Sequence, residues 1–211
     1  VQMPRTAKRP LPQGRVSPAM VLGVGLLLAV VGLAILVLLN NVAAASLSLA
    51  CLLVYVLIYT PLKPRTSWST VVGAIPGALP PLIGWCAASP ASAVDPTGFA
   101  ALAQPAGWTL FALMFAWQMP HFMAIAWMYR EDYAKGGYRV LPVLDPDGSR
   151  TSRSVALWSA LLIPITLSPA WFMPESLGVV YVLAAAITGG AFMWLVSGFI
   201  LARDRATARR L

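Results

Sequence analysis

The chain has 211 residues, 59% of them hydrophobic and only 10% charged, with a mean hydropathy of +0.75. A soluble domain carries about 25% charged residues, so the composition excludes one and points to an integral membrane protein. A formal charge of +8 would suggest a nucleic-acid partner in a soluble protein; here the basic residues are confined to short loops, which reads as membrane orientation and excludes nucleic acid.

Val1 to Ser17 is polar and basic, with Arg5, Lys8, Arg9 and Arg15 set among prolines and a glycine, which predicts an ordered loop rather than a helix. The chain starts at Val1 directly in this loop, and we expect it to be part of a longer one. Pro18 to Leu39 is the first predicted membrane helix, long enough to cross a hydrocarbon core of roughly 30 Å. Asn40-Asn41 makes a turn, and a second helix runs over Val42 to Tyr59. The third, Trp68 to Ala88, is rich in Gly and Pro (Gly73, Pro76, Gly77, Pro80, Pro81, Gly84). Such a helix is tolerated only where neighbours or cavity water satisfy its freed backbone groups. Ser89 to Ala106 is a polar loop with one acid, Asp95. The fourth helix, Gly107 to Tyr129, is interrupted by Pro120 beside His121, the only histidine. A loop from Arg130 to Arg153 precedes a fifth helix, Ser154 to Phe172, and a sixth, Leu177 to Ala202, ends before the basic tail RDRATARRL. Cys51 and Cys86 fall inside apolar runs and read as buried small residues rather than a disulfide or metal ligands.

All fifteen Lys and Arg lie in the amino-terminal segment, the loops at 60–65 and 130–153, and the tail. The intervening loops hold none. The positive-inside rule therefore places the basic set in the cytoplasm, or in the matrix of an organelle. No Lys, Arg, Asp or Glu lies in the middle of a span, unlike ion-coupled transporters, which carry ionisable groups near the midplane. The pattern predicts a charged headgroup site at one membrane face with an apolar chamber beneath it.

Three segments supply candidate chemistry: Arg5 to Leu11, Tyr59 to Lys63, and the Glu131–Asp132 pair with Lys135 and Arg139. Carboxylates at a membrane surface can hold Mg²⁺, which binds phosphate oxygens, while Lys and Arg complete the neutralisation. Each has a plainer alternative. Basic loops also serve as topology signals and lipid-headgroup contacts. An acid pair at a helix end is also a solvated terminus. His121 is either a packed polar residue bonded across helices or a site group, and Trp108, Trp117 and Trp127 are either core or interfacial belt.

The runs MPRTAKRPLPQGRVSP, YTPLKPRTSWSTVVGAIPGALPPLIGW and WQMPHFMAIAWMYREDYAKGGYRVLPV closely resemble the protohaem IX farnesyltransferase (haem O synthase) family, in the UbiA superfamily of membrane prenyltransferases. The similarity covers nearly the whole chain. It implies an all-α polytopic transmembrane bundle, one prenyltransferase domain over 1–211, with about six of nine spans present and the first two and the last outside the chain. It implies transfer of a farnesyl group from farnesyl diphosphate to a vinyl group of haem B, giving haem O, with Mg²⁺ as cofactor. In the superfamily two aspartate-rich motifs bind Mg²⁺ and diphosphate. By resemblance the first would end just before Val1, and the second maps to Asp132, with Tyr133 and Gly137 in its frame. Asp132 is thus the implied metal ligand and catalytic group, and Glu131 its assistant. Arg5, Lys8, Arg9, Lys63 and Lys135 are implied diphosphate contacts. His121 is implied in haem recognition, since neutral imidazole can ligate iron. The implied setting is a bacterial plasma membrane with basic loops cytoplasmic, membrane lipid around the bundle, and a downstream haem A synthase or oxidase assembly factors as partners. The 211-residue chain alone is expected to be inactive. The alternatives are a related transferase acting on another aromatic acceptor, and a transporter or haem-handling protein without chemistry.

Overall fold

The computed structural model describes residues 6–89 and 94–211. Among them six helices are long and apolar enough to cross a membrane. Helix α1, Pro18–Leu39, starts where Ser17 Oγ accepts the Met20 N–H at 3.1 Å and Pro18 occupies the first turn. It buries no residue of its own, so nearly all of its side chains are apolar and exposed, as a lipid-facing helix requires. Helix α2, Val42–Leu53, is capped by buried Asn41, whose Oδ1 accepts the Ala44 N–H while Nδ2 donates to the Cys86 carbonyl at 2.7 Å. One side chain therefore starts α2 and ties it to the end of α3, Ser69–Ala88.

Beyond Leu53 the second span departs from the expected regular helix ending at Tyr59. Val54–Tyr59 is a π-helical turn, and Thr60–Leu62 carries the span on. Pro61 explains this. It has no N–H to give the Leu57 carbonyl, and the Thr60 N–H bonds Tyr55 O instead, one residue further back than in an α-helix. Single π turns of this kind cluster at functional sites.

Helix α4, Pro105–Met128, runs on through Pro120. The expected interruption is absent, because the lost hydrogen bond is local and packing on both sides holds the helix. Met119, Met123 and Trp127 of α4 form the main core with Val155 of α6 (Ser149–Leu167) and with Val196 and Phe199 of α7 (Val179–Ala202). The acids expected in a loop instead open a short helix, α5, Arg130–Lys135. The fifth span starts at Ser149, earlier than the expected Ser154. Gly148 turns the chain at φ +73°, and buried Asp145 accepts the Thr151 N–H and O–H at 2.6 and 2.7 Å. Arg150 and Arg153 thus sit on the first turns of α6 rather than in the loop. The spans pack in chain order, α1 on α2, α2 on α3, α3 on α4, α4 on α6 and α6 on α7. The tail returns to the basic end as α8, Arg205–Ala208, which lays buried Ala208 against the main core. Cys86 is buried, as expected of both cysteines, whereas Cys51 is only half-buried.

Candidate functional site

Between α2, α3 and α4 lies a cavity of about 570 Å³. Its mouth is at the basic end, where Lys63 follows directly on the second span. The Lys63 ammonium lies 4.9 Å from the centroid of the Tyr59 ring and 5.4 Å from that of Tyr138. Aromatic faces at this range attract a cation. Burial alone would push the Lys63 pKa down, but the surrounding Tyr59, Tyr138 and Tyr55 outweigh it and hold the group above the ordinary lysine value. It stays charged throughout the neutral range.

Local sequence explains the cage. The π turn sets Tyr55 and Tyr59 side by side, ring centroids 5.2 Å apart, on the cavity wall. Gly73 of α3 leaves room for the Tyr59 ring, since a Cβ there would stand 2.5 Å from it. The Arg139 N–H donates to the Lys63 carbonyl at 3.2 Å, which ties the loop after α5 to the Lys63 segment. The same loop brings Tyr138 to the lysine and packs it edge-on against Tyr133, which also lines the cavity.

Deeper in, the walls are apolar or weakly polar. Phe122 and Ile125 come from α4, and Leu52 from α2. Pro80 has no N–H for the Pro76 carbonyl, and the Cys51 thiol donates to that oxygen at 3.2 Å. Gln118 and Gly77 complete the lining between α3 and α4.

The predicted site residues divide. Lys63 is in the cavity. Asp132 is half-buried on α5 but, unlike its neighbour Tyr133, lines no part of the cavity. Glu131, the neighbouring helix position and so about 100° away around the axis, turns elsewhere. It lines a separate cavity of about 210 Å³ with Arg130 and lies 4.0 Å from Arg205, an exposed pair. Lys135, Lys8 and Arg9 are exposed and line no part of the main cavity. Arg5 lies outside the described residues. His121 is half-buried and stacks on Trp117, ring centroids 4.9 Å apart, on a face of α4 beside the one that Gln118 and Phe122 present to the cavity.

As a metal site the donor set is sparse. Among the described residues no three His, Cys, Asp or Glu converge. Mg²⁺ typically takes only one or two carboxylates and completes its shell with water and substrate phosphate. Asp132, half-buried next to Tyr133 in the chain, offers at most one such carboxylate, and Glu131, aimed at Arg205, offers no second beside it.

Helices flanking an apolar chamber with a cation at its basic end suit an amphiphilic anion. Residues 1–211 match the UbiA prenyltransferase family along their whole length. The chain belongs to that family. It is 41% identical over 209 residues to the protoheme IX farnesyltransferase of Solibacter usitatus, covering 99% of this chain and 66% of that protein. It is 41% identical over 210 residues to the protoheme IX farnesyltransferase of Salinibacter ruber, covering 100% and 70%. Identity reaches 46% over 193 residues with that of Myxococcus xanthus, covering 92% and 61%. The chain spans about two-thirds of the length of these relatives, or a little less. No solved structure matches it.

In this member of the UbiA prenyltransferase family, the sequence singled out Tyr59 with Lys63 and Tyr133 with Asp132, but not Tyr55, Tyr138 or Gln118. Tyr55, Tyr59 and Lys63 recur every four residues, a helical stripe visible in sequence. Gln118 was equally visible as a carboxamide in an apolar span. Nothing in the sequence paired either with Gly73 or Gly77.

Proposed function

We propose that this chain is the prenyltransferase domain of a farnesyltransferase that joins the farnesyl group of farnesyl diphosphate to a vinyl group of haem B, giving haem O. The observation that carries this reading is the cavity, with a caged lysine at its mouth and apolar walls below. It suits a diphosphate head with an isoprenoid tail, and the protoheme in the relatives' names supplies the acceptor.

In this reading Lys63 binds the diphosphate and stabilises it as a leaving group, in a site where little water competes. As the farnesyl C–O bond breaks, its electron pair leaves with the diphosphate and the farnesyl carbon develops allylic-cation character. Tyr59, Tyr55 and Phe122 offer ring faces to that charge. The vinyl π electrons form the new C–C bond, and water adds to the resulting cation with loss of a proton. Asp132 would contribute a carboxylate oxygen to a bound Mg²⁺. Such an ion, when present, neutralises diphosphate charge. Arg5, Lys8, Arg9 and Lys135, from the basic segments of the same membrane side, would add positive charge, and Glu131, turned toward Arg205, takes no part at this cavity. His121, held by Trp117, is the proposed haem contact. The basic end faces the cytoplasm of a bacterial plasma membrane, and an enzyme that oxidises or inserts the haem product follows.

The test uses membranes carrying the protein from its whole coding sequence, supplied with haem B, farnesyl diphosphate and Mg²⁺. A farnesylated, hydroxylated porphyrin should appear by mass spectrometry. Asp132→Asn should lower turnover by roughly a hundredfold, the scale of removing one preorganised charge-stabilising group, with folding unchanged. Diphosphate release with a different aromatic acceptor but not with haem B would overturn the acceptor. Near-normal turnover of Asp132→Asn at saturating Mg²⁺ would overturn the role of Asp132.

A further inference from the structure

Gln118 is the only carboxamide inside any of the six spans, and it is 4% exposed. A buried amide in a membrane span needs a partner for each polar atom or a heavy desolvation cost follows. Nε2 has one. It donates to the Ala74 carbonyl at 2.9 Å across the α3–α4 contact. That bond fixes the plane of the amide and leaves Oε1 over Gly77, where any Cβ would collide with it. Gly77 and Gln118 both line the cavity. Among the described residues no protein donor reaches Oε1.

The result is an acceptor oxygen fixed by its own NH₂ against Gly77, at the wall of a mostly apolar chamber. It calls for one small hydrogen-bond donor. Farnesyl diphosphate and a vinyl group offer none at their reacting carbons. Water does.

We propose that Gln118 is a positioning residue whose Oε1 holds the water that ends the reaction; this rests on the farnesyl-transfer reading above. After the new C–C bond forms, the positive charge sits on the vinyl carbon attached to the porphyrin ring. The water oxygen supplies the electron pair of the new C–O bond, and the proton it releases passes to the departed diphosphate. Without a placed water the same cation loses a proton from the neighbouring carbon and gives an alkene. Gln118 thereby sets the partition between alcohol and alkene, and the missing Cβ of Gly77 leaves room for its oxygen at the cavity wall.

The experiment reads product composition in membranes carrying the protein from its whole coding sequence, with haem B, farnesyl diphosphate and ¹⁸O-water. Gln118→Met keeps the shape and removes the acceptor. Gln118→Glu keeps an acceptor oxygen and, as the neutral acid that burial favours, replaces the NH₂ with an O–H able to donate to the same Ala74 carbonyl. The Met variant should raise the alkene-to-alcohol ratio by about tenfold, the rate equivalent of one hydrogen bond. The Glu variant should keep the parent ratio, with ¹⁸O in the alcohol, even at reduced turnover. An unchanged ratio in the Met variant overturns the inference. If the Met variant yields no product, the Glu variant decides: alcohol at the parent ratio supports the role of the oxygen, and loss of product there too means Gln118 is only a clamp between helices. Failure of the parent chain to farnesylate haem B would sink the underlying reading itself, and that result is seen in the parent sample alone.

Discussion

Lys63 illustrates how one residue's neighbours fix its chemistry. A lysine half withdrawn from water at the end of a span loses hydration, and the usual response is a lowered pKa. Here three tyrosines reverse the direction, so the ammonium is retained above the ordinary lysine range. The sign follows directly: binding that depends on this charge is fully present at neutral pH and is lost only as pH rises through that elevated pKa. Lys63→Met should therefore raise KM for the prenyl diphosphate by roughly ten- to a hundredfold, the worth of a charge-assisted hydrogen bond, across the whole neutral range. Lys63→Arg should restore only part of this, because the wider guanidinium must fit between Tyr59 and Tyr138. Steady-state kinetics on membranes decide it; a Met variant with unaltered KM would remove Lys63 from the diphosphate site. The predicted pair of acids is less unified than the lysine. Asp132 is half-buried and Glu131 is exposed and points to Arg205, a division that follows from helix geometry once α5 is known to be a helix.

At the scale of the element, α3 shows what its glycines and prolines do. The prolines free carbonyls, and Cys51 answers one of them. The glycines are not interchangeable with those of α1. A Cβ at Gly73 meets the Tyr59 ring at 2.5 Å, and one at Gly23 or Gly25 meets nothing within 4 Å. Gly73→Ala should thus either cost about 1–3 kcal/mol as overpacking or push Tyr59 aside and weaken the grip on Lys63. Gly23→Ala should be neutral or stabilising, since Ala is the better helix former by about 1 kcal/mol. Thermal unfolding in detergent, paired with KM for the diphosphate, separates these outcomes. A Gly73→Ala protein that matches the parent in both would show that Tyr59 does not pack there. Composition marked α3 as a helix needing neighbours. The identity of those neighbours was not legible, because Gly73 finds Tyr59 and Gly77 finds Gln118 only once α2 and α4 are placed on either side.

The whole molecule was most legible where the physics is coarsest. Apolar length marked all six spans, since lipid tolerates little else, and the first span matches its expected ends, Pro18 and Leu39, because Ser17 and Pro18 start it unambiguously. Ends were misjudged where tertiary contacts override local signals: buried Asp145 recruits Thr151 and moves the start of α6, and Pro61 widens a turn instead of stopping the helix. The same contacts bind the basic end into one surface. The Trp127 indole donates to the Arg203 carbonyl at 3.0 Å, Arg203 reaches the Asp147 carbonyl at 2.9 Å, and the Arg130 guanidinium lies 4.7 Å from the Trp127 ring centroid. Loop and tail, far apart in sequence, therefore share one side of the membrane with Lys63, and every Lys and Arg of the chain belongs to the segments of that side. The charge bias predicts that this side is cytoplasmic. A periplasm-active reporter inserted after Thr97 should be active, and the same reporter inserted after Asp147 should be silent, with a cytoplasm-active reporter giving the reverse. The opposite pattern would put the caged lysine on the outer face, away from any cytoplasmic pool of prenyl diphosphate, and the proposed reaction would lose its substrate.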